Sequence, residues 1–376
     1  MSYQIHMKGY DDLRTLYQTD SLYAWERGLY FPPVIVEVSP THKCNQLCRY
    51  CYANKRIQHK DTLSDDILVS IFSQLPNAGV QAVEIQGTGE PLMHKALPSA
   101  LTAGSRHGLS IGLVTNGVLL NKAAQETILE HLLYVKFSVI ESDPGRYAYL
   151  HGCTEKQWED LIQNIENAVA LRRKKKLDLA LYATVYLSTG NFSKAYNIVK
   201  FFKDMGLDYI VIQEATYSDL SPAGKADYAS NYFSDTEIRK MKKKLFSLND
   251  ANFSVKIRFP LNDDKFIVGL DKESWKKDYC QGIKFSATIA SDGEVYPCWR
   301  MWGKREYSYG NIYTKSFEQI WKGEKRKKVE KYIFNTPPKG SGSFYSECNH
   351  CNITKLNEIL YRYKNAKTRW KGFLLQ

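Results

Sequence analysis

Apolar positions recur along the chain in two alternating rhythms. Short β-rich runs occur at Ile35–Ser39, Ala82–Gly87, Ser110–Asn116, Tyr134–Ile140, Leu179–Leu187 and Tyr209–Ala215, and such runs read as buried strands. Between them the spacing turns helical, as in Trp158, Leu161, Ile162, Ile165 and Val169, and again in Phe192, Ala195, Ile198, Val199, Phe202 and Met205. Strands separated by single helices predict a parallel sheet with right-handed crossovers. Six units are too few to close an eightfold barrel. The expected fold class is therefore α/β, a partial (β/α)6 barrel with its site at the C-terminal ends of the strands.

The rhythm changes after about residue 216. Asp235–Leu248 and Thr314–Phe334 read as basic helices, and Phe285–Ala290 with Glu294–Trp299 flank Ser291-Asp292-Gly293, a hairpin signal. Residues 336–343, Thr-Pro-Pro-Lys-Gly-Ser-Gly-Ser, read as a loop. The predicted layout is an N-terminal extension (1–33), the partial barrel (34–216), a connecting helical segment (217–274) and a smaller α+β domain (275–376).

Composition narrows the class. The chain has 376 residues, 43% hydrophobic and 24% charged, values of a globular protein rather than a disordered or fibrous one. No apolar run is long enough to span a bilayer, and the N-terminus lacks a secretory pattern, so a cytoplasmic location is expected, where cysteines stay reduced and hold metals. Seven of the eight cysteines fall in metal-ligand arrangements.

The first set is Cys44, Cys48 and Cys51, a Cys-x3-Cys-x2-Cys loop directly after the first strand. Three thiolates on one loop suit three irons of a cubane cluster, leaving the fourth iron open. The alternative is a structural zinc with His42 as fourth ligand, although zinc sites commonly pair their cysteines on both sides. With Tyr50 before the third cysteine, this segment resembles the radical S-adenosylmethionine (SAM) superfamily, whose fold is the partial six-stranded barrel. The resemblance implies that the open iron is chelated by SAM, that an electron from the cluster cleaves SAM to methionine and a 5′-deoxyadenosyl radical, and that this radical removes a hydrogen atom from substrate. An external electron donor, such as flavodoxin or ferredoxin, is implied with it.

Further residues match the same family in register. Gly87-Thr88-Gly89-Glu90-Pro91 is similar to its Gly-Gly-Glu-Pro segment, which receives the SAM ammonium. Thr115 and Asn116 end the third strand and Ser138 lies in the fourth, both places that contact SAM in relatives. Ser188, after the fifth strand, and Gln213, in the sixth, are polar contacts of the same kind. For Thr115-Asn116, Ser138, Ser188 and Gln213, ordinary turn and strand-end chemistry is an equal alternative.

The second set is Cys280, Cys298, Cys348 and Cys351. On donor chemistry alone, four thiolates suit a closed tetrahedral zinc. Yet residues 285–298, Tyr309-Gly-Asn-Ile312 and Phe317–Trp321 closely resemble the SPASM/Twitch extension of radical SAM enzymes, which carries auxiliary iron–sulfur clusters. No cysteine follows Cys351, so the expectation is one auxiliary [4Fe–4S] cluster, fully ligated and suited to passing electrons, beside the SAM-binding one.

Cys153 belongs to neither set and follows the fourth strand. It is a candidate hydrogen-atom donor to a substrate radical, with a buried apolar filler as the alternative. The net charge of +12 gathers at Arg172–Lys176, Arg239–Lys244 and Lys322–Lys331. Cations at a helix end complement its dipole, and solvated faces account for most such runs. No RNA-binding motif accompanies them, so an anionic small molecule is favoured over nucleic acid. The tail, residues 367–375, resembles SPASM proteins of polysaccharide or natural-product synthesis. The expected substrate is a sugar-containing or related small molecule undergoing dehydrogenation or epimerisation. Epimerisation or crosslinking of a ribosomal peptide is the second reading, and a non-catalytic zinc protein the third.

Overall fold

The computed structural model describes residues 19–51, 61–188, 190–214, 233–258 and 280–335, together with 356, 357 and 360. Cys348, Cys351, the 336–343 loop, the 367–375 tail, most of the N-terminal extension and parts of the 217–274 segment lie outside them. The chain forms two compact units. One is built from Val38–Ser73 and Ala82–Phe266, the other from Asp12–Glu37, Gln74–Gln81 and Ile267–Gln376, each taken over its described residues.

Ten strands are present among the described residues: β1 (Ile35–Val38), β2 (Ala82–Ile85), β3 (Ser110–Thr115), β4 (Tyr134–Val139), β5 (Ala180–Leu187), β6 (Tyr209–Glu214), β7 (Ser254–Arg258), β8 (Ser286–Ile289), β9 (Glu294–Tyr296) and β10 (Gly310–Asn311). The helices are α1 (Thr19–Arg27), α2 (Asp65–Asn77), α3 (Leu97–Arg106), α4 (Lys122–Ile128), α5 (Pro144–His151), α6 (Glu155–Lys175), α7 (Ala195–Asp204), α8 (Asp235–Phe246), α9 (Phe317–Lys322) and α10 (Glu324–Asn335). The six expected strands all form, with ends within one or two residues of those read from the pattern.

In the first unit, β2 to β7 pair in sequence order and every pair is parallel. The chain crosses from the second unit within β1, whose last residue, Val38, accepts a hydrogen bond from the Gln86 amide at 3.1 Å. Burial alternates along β4, so Val135, Phe137 and Val139 lie on the sealed face while Tyr134, Lys136 and Ser138 lie on the other. The apolar stripe of α6, with Trp158, Leu161, Ile165, Ala168 and Val169, is buried, each large side chain contributing about 1.5–3 kcal/mol. Gly117 (φ 77°) turns the chain after β3. An added Cβ there would lie 2.5 Å from Leu161, which is why no side chain fits. The residues expected to connect only by helix hold α8 and then β7. The pattern missed this strand because Ser254–Arg258, Ser-Val-Lys-Ile-Arg, places charged residues among only two β-branched ones.

In the second unit β8 and β9 form the expected antiparallel hairpin, with Gly293 at φ 83° in the turn, and β10 extends it beside β9. The long helix expected over 314–334 is two helices. Ser316 and Gln319 form a capping box that starts α9, and Gly323 is extended (φ −71°, ψ 153°), which ends it. The Trp321 indole donates to Phe31 O at 2.9 Å, and the Arg326 guanidinium covers the Trp321 ring at 3.7 Å while pairing with Glu330 at 2.8 Å. Much of the Lys322–Lys331 charge is thus engaged within the fold. So is part of the first basic run: Arg172 pairs with Asp208 and donates to Leu179 O and Gly206 O at 3.2 Å each.

Candidate active site

The first cysteine, Cys44, stands five residues past Ser39, just beyond the C-terminal end of β1, and the segment after β2 packs directly on the backbone that leads into it. Gly89 N donates to Thr41 O at 3.2 Å and Glu90 N to Lys43 O at 2.8 Å. The approach is so close that a Cβ on Gly89 would lie 2.2 Å from Lys43 O, and one on Gly87 would lie 2.1 Å from Gly89 O. Both glycines are there for backbone proximity.

Glu90 ties this segment to the end of β3. One carboxylate oxygen accepts from Leu92 N (3.1 Å) and the Thr115 hydroxyl (2.6 Å), and the other accepts from Asn116 N (2.8 Å). Burial pushes its pKa up, while these donors oppose the shift. The Asn116 carboxamide continues the chain of bonds, donating to Asn45 Oδ1 at 2.7 Å and accepting from Val118 N at 3.1 Å. Asn45 lies inside the cysteine loop, so the loop, Glu90 and the β3 end form one hydrogen-bonded body. Pro91 starts a short 3-10 turn capped by Glu90.

The loop is held from its other side by α5. Leu47 N donates to His151 O at 3.1 Å and Arg49 N to Leu150 O at 2.9 Å. Inside this contact Gln46 donates to the Tyr147 hydroxyl at 3.0 Å and its carbonyl oxygen lies 2.9 Å from His151 Nδ1, which is also 3.4 Å from Cys48 Sγ. The sequence reading missed Gln46 and His151. Nothing in a single sequence marks them, because their role depends on α5 folding back onto the loop.

The other expected residues are distributed as follows. Ser138, Thr184 and Val211 are in register on β4, β5 and β6, and Gln213 pairs with Tyr186 two residues further along, so Ser138 and Gln213 share one sheet face. Ser188 is buried, its amide donating to Asn191 Oδ1 at 2.8 Å and its hydroxyl lying 3.4 Å from the same atom. Tyr50 is half-buried in the loop beside Cys51. Cys153 follows α5, with Sγ 3.8 Å from Gln46 Nε2 and 3.7 Å from Thr154 O.

The donor set suits an iron–sulfur cluster with a polar ligand. Burial pushes the Cys44 thiol up to about 12, and burial with the neighbouring Cys51, Cys44 and Cys153 pushes Cys48 well up. Bare thiolates are unfavourable in such a place, whereas a coordinating metal supplies the opposing charge and takes the thiol as thiolate. Ser39 Oγ and Thr88 Oγ1 are sealed from solvent without hydrogen-bond partners, as is Asn45 Nδ2 in the loop itself. Each carries a desolvation cost of about 1–3 kcal/mol that a polar ligand there relieves. Glu141, past β4 and 1% exposed, likewise has Oε2 unpartnered and was not singled out from sequence. Among the described residues no three His, Cys, Asp or Glu side chains converge on a single-ion site.

In the second unit Cys280 and Cys298 are buried. Asn357 Nδ2 donates to Cys280 Sγ at 3.2 Å while its carbonyl accepts from Gly282 N at 2.6 Å. Burial pushes the Tyr309 hydroxyl pKa well up, Glu330 adds to the shift and Arg326 opposes it, with Cys298 and Cys280 as smaller contributors. Among the described residues no helix is long and apolar enough to cross a membrane.

Residues 38–202 match the family model of the radical SAM superfamily, and residues 280–352 match that of the SPASM iron–sulfur cluster-binding domain. A Campylobacter fetus subsp. fetus protein named GTP 3′,8-cyclase is 26% identical over 275 residues, covering 70% of this chain and 79% of that protein. A Pyrococcus furiosus protein named tungsten-containing aldehyde ferredoxin oxidoreductase cofactor-modifying protein is 19% identical over 304 residues, covering 76% and 80%. The fold is similar to that of Streptococcus suis SuiB bound to S-adenosylmethionine, with a TM-score of 0.63 and 16% identity over 92% of this chain and 78% of that one. It is also similar to anSMEcpe with bound AdoMet and the Cp18Cys peptide, with a TM-score of 0.54 and 19% identity over 86% and 88%. The two family matches fall on the two cysteine sets and on the cradle just described. This chain belongs to the radical SAM superfamily, as an enzyme that uses SAM and a [4Fe–4S] cluster and carries a C-terminal SPASM iron–sulfur domain.

Proposed function

We propose that the enzyme removes a hydrogen atom from a sugar-containing or related small molecule, giving dehydrogenation or epimerisation. The observation that carries this reading is the polar sheet face leading toward the site, where Thr184 and Tyr186 stand beside Ser138 and Gln213, the two residues assigned to SAM below. Hydroxyl groups on that face suit a substrate rich in hydroxyls. The net charge of +12 favours an anionic one, and GTP, named in the cyclase relatives, is itself an anionic ribose-bearing molecule. The second reading, a peptide substrate, draws on fold likeness to SuiB, a structure of which is titled as bound to precursor peptide SuiA.

In this reading Cys44, Cys48 and Cys51 hold the SAM-binding cluster, and Gly87, Thr88, Gly89, Glu90 and Pro91, with Tyr50, Thr115, Asn116, Ser138, Ser188 and Gln213, hold SAM. The bound pair supplies one-electron reductive chemistry that yields a carbon radical for hydrogen abstraction. The chain's own residues position it. Glu90 fixes the β3 end against the loop, and the two glycines let backbone groups approach the ligand. The thiol of Cys153, pushed up to about 11 by burial, keeps the hydrogen that a donor must give. In the second unit Cys280 and Cys298, with Cys348 and Cys351, hold an auxiliary [4Fe–4S] cluster suited to electron passage from a donor such as flavodoxin or ferredoxin.

Anaerobic reconstitution followed by product analysis tests the reading. About eight irons per chain are expected from two four-iron clusters, along with reductive SAM cleavage on offering nucleotide-linked sugars. A ketone or aldehyde identifies oxidation, and solvent deuterium at an inverted carbon identifies epimerisation. Turnover of a peptide but of no sugar-containing molecule overturns it. For Cys153, the Cys153→Ala enzyme is expected to cleave SAM but form no epimer. Unchanged product removes its donor role.

A further inference from the structure

The geometry points to a second role for α5: His151, oriented by Gln46, donates a hydrogen bond from Nδ1–H to Cys48 Sγ and so sets the reduction potential of the cluster that Cys48 helps to hold. The inference rests on the assignment of Cys44, Cys48 and Cys51 to that cluster, and extends to residues no sequence motif marks.

His151 Nδ1 lies 3.4 Å from Cys48 Sγ and 2.9 Å from Gln46 Oε1. His151, Gln46 and Tyr147 are 2%, 2% and 0% exposed, so water does not compete for these bonds. The imidazole stacks on Tyr147 with ring centroids 4.0 Å apart, and Tyr147 anchors the Gln46 amide at 3.0 Å. The backbone is fixed as well: Leu47 N donates to His151 O, and Gly152 adopts φ 56°, where a Cβ would lie 2.4 Å from Leu47 O. Burial and the Tyr147 stack hold the ring, and these backbone contacts hold α5 against the cysteine loop.

The proton's position follows from the donor inventory. A ligating Cys48 is a thiolate and only accepts hydrogen bonds, and Gln46 Oε1 only accepts. Both neighbours of Nδ1 thus require it to donate, and its single N–H is shared between them, with Gln46 Oε1 at 2.9 Å the nearer and Cys48 Sγ at 3.4 Å the second acceptor. His151 Nε2 is buried without a partner, and leaving a lone pair there costs less than leaving an N–H. A hydrogen bond to a ligand sulfur draws charge from the cluster, favours the reduced state and raises the potential.

Two variants separate this role from simple packing. His151→Phe keeps a ring over Tyr147 and removes the donor, whereas His151→Asn places an amide N–H near the position of Nδ1. Each is reconstituted anaerobically, its iron counted, and its midpoint measured by EPR-monitored titration without SAM, following the signal that responds to later SAM addition. His151→Phe is expected to lower the equilibrium constant for reduction about tenfold, about 59 mV for a one-electron couple, while His151→Asn stays within about threefold of the native enzyme on the same scale. A His151→Phe midpoint equal to native with full iron content overturns the inference. Should His151→Phe fail to hold iron, native protein labelled with 15N-histidine decides. Hyperfine coupling of one histidine nitrogen to the SAM-responsive signal, lost in His151→Asn, supports the bond, and its absence from native protein overturns it. A native protein with no SAM-responsive signal would instead refute the cluster assignment beneath it.

Discussion

Replacing Gly89 with alanine tests whether the cysteine loop is positioned by direct backbone contact. The new Cβ would lie 2.2 Å from Lys43 O and 2.6 Å from both His42 C and Thr41 O. All three neighbours are backbone atoms, so no rotamer relieves the clash, and with non-bonded carbon contacts near about 3.5 Å the two segments must part by roughly 1 Å. That movement weakens two hydrogen bonds, Gly89 N to Thr41 O at 3.2 Å and Glu90 N to Lys43 O at 2.8 Å. At about 0.5–1.5 kcal/mol each, the stability cost is about 1–3 kcal/mol. The functional cost is larger, because a displacement of about 1 Å in a positioned reactive group loses about a hundredfold in rate. The assay is iron content after anaerobic reconstitution, followed by the rate of SAM cleavage, with Gly108→Ala as comparison. Gly108 has positive φ (80°), which Gly89 does not, and open space around it. Its substitution costs roughly 1–2 kcal/mol of backbone strain and leaves the site intact. A Gly89→Ala enzyme with native iron content and native SAM cleavage would refute the reasoning.

Other expectations follow from buried polar groups. Asn164→Ala removes the amide that donates to Gly117 O and Val118 O at 2.9 Å each; Gly117 O keeps the Leu120 amide at 3.2 Å, so the main cost is the Val118 carbonyl, about 1–3 kcal/mol. Urea denaturation is expected to show a loss of about 1–3 kcal/mol, and an unchanged stability would contradict the accounting. Burial lowers the His151 pKa from 6.5 to about 3, so the unfolded chain takes up this proton first. The stability from a neutral buried imidazole is present above pH 6.5 and is lost as pH falls toward 3, reaching about 2 kcal/mol at pH 5 in the cluster-free protein. His151→Asn is expected to flatten that part of the stability–pH curve, and an unchanged slope would assign it to other groups. Asn357→Leu removes the donor to Cys280 Sγ and the acceptor of Gly282 N. The auxiliary cluster's midpoint is expected to fall while the SAM-responsive signal stays in place, which two-signal EPR titration reads directly.

How much of this could be read from the chain differs by level. The six barrel strands, the β8–β9 hairpin and both cysteine sets follow from local pattern, because strand burial, turn glycines and ligand spacing are written within a few residues of one another. β7 escaped because a strand that alternates Val255 and Ile257 with charged neighbours carries too little apolar signal, and parallel pairing with β6 supplied the rest. The division into α9 and α10 escaped because Gly323 breaks the helix through an extended backbone that composition alone does not announce. For the candidate site, sequence marked the cysteines proposed to carry the iron chemistry and the glycines that stand beside them. Tertiary structure decided what those residues are bonded to: Glu90 to the end of β3, Asn45 to Asn116, and Cys48 to a histidine more than a hundred positions away. Such partners lie on different βα units and meet only when the crossovers bring the strand ends together. Their bonds depend on distance in space, which neither spacing nor residue type encodes.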